Sequence, residues 1–241
     1  MIDLRARMPI DAEDTVQIHL TRPESCRPGQ TPGLVLAHGA ANNLDHPLLT
    51  AVAEGLAGSG MASVLRFNFA YRERGAKSPD PTPILEEVFR RAHDYLADDD
   101  VCRPGPLFLG GKSLGARIAA GLVSHRHEGE GLLAAGLVFL GYPLHAPGRT
   151  EKLRTEPLAR IDVPALFVQG SRDPFCRIDL LEMTLHRLSL QAELHVVENG
   201  GHGFELPGRT GRPQSQVYAE VTEVVADFIS RVASRRPADR P

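Results

Sequence analysis

Seven short apolar runs recur along the chain, most spaced widely enough to hold a helix between them, and this rhythm constrains the fold more than any other feature. They read "VQIHL" (16–20), "GLVLAHG" (33–39), "ASVLRFNF" (62–69), "PLFLGG" (106–111), "AGLVFLGYP" (135–143), "PALFVQG" (164–170) and "ELHVVENG" (193–200). Continuous Val, Leu and Phe, without polar alternation, suit strands covered on both faces, as in a parallel sheet. "VQIHL" is expected at an edge. Helical patterns follow at 46–60, 82–99, 113–126, 179–188 and 215–233. The second starts with Pro83 near its first turn and lines up Leu85, Val88, Phe89, Ala92 and Leu96 on one face. Strands alternating with helices imply right-handed βαβ units and a mostly parallel, doubly wound sheet flanked by helices. We expect one α/β domain over 1–233 and a flexible tail, "SRRPADRP", over 234–241. The polar segment 143–163 is about one helix long and leaves no room for a lid domain.

Bulk properties exclude several classes. With 241 residues, 42% hydrophobic and 24% charged, the chain can build a packed core. A formal net charge of −3 gives no drive toward nucleic acid or an anionic membrane, and the absence of Trp removes the best base-stacking residue. The start, "MIDLRARMPIDAEDT", carries acids where a signal peptide needs an apolar core. Cys26, Cys102 and Cys176 are odd in number and far apart, and form neither a disulfide framework nor a CxxC metal site. A reduced, cytoplasmic protein without metal or organic cofactor is the expectation, with oligomeric state open.

The stretch "LFLGGKSLGAR" (107–117) supports two chemistries. "GGKS" resembles the end of a phosphate-binding loop, which needs a Gly five residues before the Gly of Gly-Lys-Ser. That position holds Pro106, which has no N–H to offer a phosphate, and the required loop is a strand sequence. "GKSLG" is also a Gly-x-Ser-x-Gly nucleophile elbow: a strand, a tight turn carrying Ser113, then a helix. The flanking glycines leave room for the turn. The second reading fits.

A serine hydroxyl needs a histidine base, and the base needs an acid to orient it and stabilise its charged form. On this architecture the partners follow in the order Ser, acid, His, each after a strand. "PALFVQGSRDPF" supplies Asp173 and "ELHVVENGGHGF" supplies His202. "VLAHGAANN" places Ala40 on the loop that contributes an oxyanion donor, so the N–H groups of Ala40 and Leu114 are the expected oxyanion hole, and His38 an organiser of that loop.

At this point "LAHGA", "LRFNFAYRERG", "LGGKSLGAR", "GYPLHAPG" and "LFVQGSRDPF", in order over about residues 30–205, resemble the lidless bacterial α/β-hydrolases related to testis-expressed hydrolase-like proteins and to a chromatin acetyltransferase complex subunit. The broader likeness is to the dienelactone-hydrolase superfamily. The resemblance implies an α/β-hydrolase fold with Ser113, Asp173 and His202 as triad. It departs at "HGAANN", where relatives usually carry Gly after the Ala; Ala41 is expected to narrow the oxyanion loop.

Around the site, "RFNFAYRERG" brings Arg66, Asn68, Tyr71, Arg72 and Arg74 off a strand end, and Lys112 adjoins the nucleophile. Lys112, Tyr71, Arg72 and Tyr142 are the expected substrate-binding residues, with His145 beside them. One reading makes the cations an electropositive rim for an anionic acyl substrate; the other makes them ion pairs and solvated charge. The function expected is a serine hydrolase acting on a small-molecule ester, thioester or related acyl substrate, with no nucleic-acid or membrane partner. A binding or scaffold protein on the same fold is the alternative.

Overall fold

The computed structural model of the protein describes residues 1–129, 131–208 and 212–234. In chain order the elements are β1 (Ile2–Pro9), β2 (Thr15–Arg22), β3 (Gly33–Ala37), α1 (Pro47–Gly58), β4 (Ser63–Phe67), α2 (Ala70–Glu73), α3 (Thr82–Ala97), β5 (Leu107–Lys112), α4 (Leu114–Ser124), β6 (Gly136–Leu140), β7 (Ala165–Gly170), α5 (Ile178–Leu188), β8 (Ala192–Val197) and α6 (Gln214–Ala233). The strands form one sheet ordered β1-β2-β4-β3-β5-β6-β7-β8. β1 and β2, and β2 and β4, pair antiparallel; the other neighbours are parallel. Beyond Ser234, the expected tail lies outside the described residues.

The parallel strands are continuous apolar runs because each feeds two cores. In β6, Leu137 and Phe139 join one core, while Val138 and Leu140 join the other. The first core is closed by α3, α4 and α5, through Phe89, Ile118 and Leu181. The second is closed by α1 and α6, through Leu49, Val52, Val221 and Phe228. Each such side chain contributes about 1.5–3 kcal/mol when fully buried. The helices start where the sequence signals them: Pro47 and Pro83 occupy first-turn positions of α1 and α3, and the His46 ring accepts from Leu48 N–H.

Two expectations are corrected. "VQIHL" lies in β2, which is not an edge strand, since "IDLRARMP" forms β1 outside it. Cys26 and Cys102 are joined as a disulfide across a sequence separation of 76, their Cα atoms 5.2 Å apart; only Cys176 is free, and buried. The loops before β3 and β5 bring the first two together, a contact that their distance in sequence conceals. Among the described residues no helix is long and apolar enough to cross a membrane.

Four loops meet at the C-terminal edge of the sheet: those after β3, β5, β7 and β8. Buried Arg66 of β4 pins the first, donating to the Leu44 carbonyl at 3.0 Å and to Thr50 Oγ1 at 2.6 Å. Asn68 Oδ1 accepts from Leu44 N–H at 2.9 Å, and its amide donates to Glu73 at 2.8 Å.

Candidate active site

Ser113 is the residue between β5 and α4, and its backbone is strained, with φ 53° and ψ −105°. A non-glycine residue at positive φ costs about 1–3 kcal/mol and persists only where its surroundings enforce it. The enforcement is close packing of the elbow. A Cβ on Gly115 would lie 2.6 Å from the Ala37 carbonyl oxygen, and one on Gly111 2.6 Å from the Gly115 backbone. Only glycines at these two positions let α4 leave β5 so abruptly.

The three residues expected as a triad are brought together. His202 Nε2 lies 2.8 Å from Ser113 Oγ, and His202 Nδ1 lies 2.8 Å from Asp173 Oδ2. The Asp173 carboxylate is buried and held by two further donors: Phe175 N–H to Oδ1 at 2.7 Å and the Gln169 side-chain amide to Oδ2 at 2.5 Å. With Asp173 as acceptor, Nδ1 carries the proton, which leaves Nε2 free to accept from the serine hydroxyl. The Phe175 ring stands 4.4 Å from the His202 ring. Gly141, at φ 71°, leaves the space that the His202 backbone fills: a Cβ there would be 3.0 Å from its carbonyl oxygen.

Leu114 directly follows the nucleophile, and Gly39, which precedes Ala40, lies against it, a Cβ there standing 3.5 Å from Ser113 Cβ; neither the Ala40 nor the Leu114 N–H donates to a backbone acceptor among the described residues. Leu114 is the first residue of α4, so its N–H is one of the orphan donors at a helix N-terminus. The Ala40 loop is fastened from behind. His38 is fully buried; Nδ1 donates to the Gly39 carbonyl at 2.8 Å and Nε2 accepts from Phe69 N–H at 3.1 Å. Burial pushes the His38 imidazole down to about 4 and keeps it neutral near pH 7. Ala41 is exposed and is not among the residues at positive φ.

The expected substrate-binding side chains are placed differently. Tyr71 is buried and donates to the Ala40 carbonyl at 2.8 Å, serving the oxyanion loop instead of a pocket; burial raises its phenol to about 12. Tyr142 is buried among Phe139 and Phe167 and donates to the Arg154 carbonyl at 3.1 Å, with its phenol raised by desolvation. Lys112 is only 6% exposed, beneath the His202 turn, not on a rim. Arg72 is half-buried beside a hollow of about 220 Å³ lined by Ala41, Asn42, Asp45 and His46. Arg66 is buried in β4 and Arg74 pairs with Asp80, so these two cations serve structural contacts. His145 ties two loops, accepting from Arg177 N–H at 3.1 Å. Sequence reasoning missed Gln169; its signal is a polar residue inside an otherwise apolar strand, four positions before Asp173. Among the described residues no three His, Cys, Asp or Glu side chains converge to hold a metal ion.

A second cleft, of about 380 Å³, starts at Leu114 and runs along α4 past Arg117 and Ile118 to His125, walled by Leu85 of α3 and by Pro157.

A family model described as "Alpha/beta hydrolase domain" matches residues 30–230. Among solved structures the chain is similar to a dienelactone hydrolase from Anabaena variabilis, with 19% identity, a TM-score of 0.70 and coverage of 95% of this chain and 97% of that one. It is also similar to a serine hydrolase without a lid from Xanthomonas campestris, with 17% identity, a TM-score of 0.70 and coverage of 98% and 97%. A third is Est1E from Butyrivibrio proteoclasticus with ferulic acid bound, with 15% identity, a TM-score of 0.72 and coverage of 95% and 100%.

Proposed function

The chain belongs to the alpha/beta hydrolase domain family, and on that premise we propose that it is a serine hydrolase of small esters, thioesters or related acyl compounds, working through an acyl-serine intermediate. The observation that carries this reading is the continuous chain Ser113 Oγ, His202 Nε2, His202 Nδ1, Asp173 Oδ2, with 2.8 Å at both hydrogen bonds. Ser113 Oγ attacks the acyl carbon while His202 Nε2 takes the hydroxyl proton. The carbonyl electrons move to oxygen, where the Ala40 and Leu114 N–H groups receive them; one such donor is worth about 3 kcal/mol in the transition state. His202 then gives its proton to the departing alcohol or thiol, leaving acyl-Ser113. Water, deprotonated by His202, attacks that ester, and collapse returns the acid and the free serine. Asp173 stays ionised and orients the ring throughout.

Short connections favour an open cleft and small or loosely held substrates. The motif resemblance supports a relation to testis-expressed hydrolase-like proteins and a chromatin acetyltransferase subunit, and with it a scaffold role as second reading. A scaffold has no need of a strained serine aligned with a buried His–Asp pair, which favours the enzyme. The cytoplasmic location expected from the sequence stays a proposal.

The test is turnover of short-chain p-nitrophenyl esters and acyl-thioesters by wild type and Ser113→Ala. Removing the nucleophile should cost several orders of magnitude in kcat with the fold retained. Equal turnover by both proteins would end the assignment.

A further inference from the structure

One buried titratable group beside the triad has no part in the reaction as described. Lys112 immediately precedes Ser113, and strand alternation decides where it points. In β5, Phe108 joins the α1/α6 core and Leu109 the opposite one. Gly110 faces back toward Val138 of the α1/α6 core, and Gly111 lies against Gly115 of α4. Lys112 therefore projects toward the α1/α6 layer, away from α4 and the cleft along it.

Three segments surround it there. The first is His46, at the entrance to α1. The second is the turn after β8 that carries His202: Lys112 Cε lies 3.7 Å from where a Cβ on Gly203 would stand. Glu205 closes that turn, its carboxylate accepting from Gly203 N–H at 2.7 Å and its carbonyl from Gly201 N–H at 3.0 Å. The third is the loop after β7, whose Asp173 acts on the Lys112 charge. Among the described residues Lys112 forms no direct ion pair; burial holds its ammonium below the ordinary lysine value, opposed by the charges of Glu205 and then Asp173. A buried ammonium is costly unless carboxylates lie near it.

We propose that Lys112 is a positioning residue for the His202–Asp173 pair: its buried side chain, packed beneath the turn that Glu205 closes, ties the turn that carries His202 to the nucleophile strand. The proposal rests on the triad reading and extends it to a fourth residue, so far without a role.

The electrostatic consequence has a definite sign. A cation beneath the turn opposes a second positive charge on His202. Removing it makes the imidazolium easier to form, so His202 should protonate at higher pH. Charges several ångströms apart under partial burial shift such equilibria by about one pH unit. The other groups facing Lys112 are Glu205, Asp173 and His46. His46 is held down at about 4 by burial and by Lys112 itself, so it contributes no charge near pH 7.

NMR titration of the His202 imidazole reads this without any substrate. In Lys112→Met, His202 should titrate about one unit higher than in wild type, and Lys112→Arg should restore at least half of the difference. Glu205→Gln, which removes the compensating anion, should move it the opposite way and serves if Lys112→Met does not fold. Labelling of Ser113 by a fluorophosphonate at pH 7 should slow about tenfold in Lys112→Met. An unchanged His202 titration in Lys112→Met, or in Glu205→Gln where only that variant folds, overturns the proposal and makes Lys112 a spacer. Failure of wild-type Ser113 to label would instead count against the hydrolase reading, and the titration would judge Lys112 on its own.

Discussion

Replacing Gln169 by leucine separates the support of the triad from the support of the fold. Gln169 is fully buried at the end of β7, and its amide donates to Asp173 Oδ2 at 2.5 Å, the same oxygen that receives His202 Nδ1–H. A hydrogen bond to a buried carboxylate contributes about 1.5–3 kcal/mol. If that energy steadies Asp173 in the orientation that holds the imidazole, its loss lowers kcat by about ten- to a hundredfold. The stability ledger runs differently. Gln169 Oε1 is buried without a partner among the described residues, a defect that costs about 1–3 kcal/mol and that leucine, of similar volume, removes. The two effects offset, so Tm should change by only a few degrees while turnover collapses. The assay pairs kcat on a short-chain p-nitrophenyl ester with thermal unfolding of the same preparation. Wild-type kcat in Gln169→Leu would refute the reasoning, as would a fall in activity matched by a large fall in Tm.

Tyr71→Phe removes the bond to the Ala40 carbonyl and loosens the oxyanion loop; a neutral hydrogen bond of about 0.5–1.5 kcal/mol predicts a roughly two- to tenfold fall in kcat with little change in KM, read by steady-state kinetics. Stability should fall as pH drops from about 6.5 to about 4. Across that window the unfolded chain binds a proton at His38 that the folded chain refuses, because its folded value is pushed down to about 4; the difference is worth about 3 kcal/mol and is present in full above the unfolded value. Urea unfolding at pH 7 and pH 4.5 checks it, and equal stabilities would contradict the burial of a neutral His38.

The parallel strands and the triad were legible because both follow from local chemistry. A strand buried on two faces must be an apolar run, and a nucleophile elbow must have small residues where Gly111 and Gly115 stand. β1 escaped that criterion. "IDLRARMP" alternates Ile2, Leu4, Ala6 and Met8 with Asp3, Arg5 and Arg7, buries only Met8, and holds no continuous apolar run. The surroundings of the site were less legible, because direction is a property of packing. Lys112 adjoins the nucleophile in sequence, yet strand alternation turns it to the far side of the sheet. Tyr71 and Tyr142 sit at strand ends in sequence, but their hydroxyls find carbonyl partners inside the protein. The Cys26–Cys102 contact depends on two loops meeting where the neighbouring strands β3 and β5 begin, which spacing alone does not encode.

The central claim is that Ser113 is a nucleophile activated by His202. The most direct measurement is reaction with a fluorophosphonate probe near pH 7, followed by peptide mapping by mass spectrometry, on wild type, Ser113→Ala and His202→Ala. The account predicts one adduct on the peptide containing Ser113 in the wild type, none in Ser113→Ala, and labelling slowed by at least a hundredfold in His202→Ala. A wild-type protein that stays unlabelled, or one labelled at another serine, would contradict it.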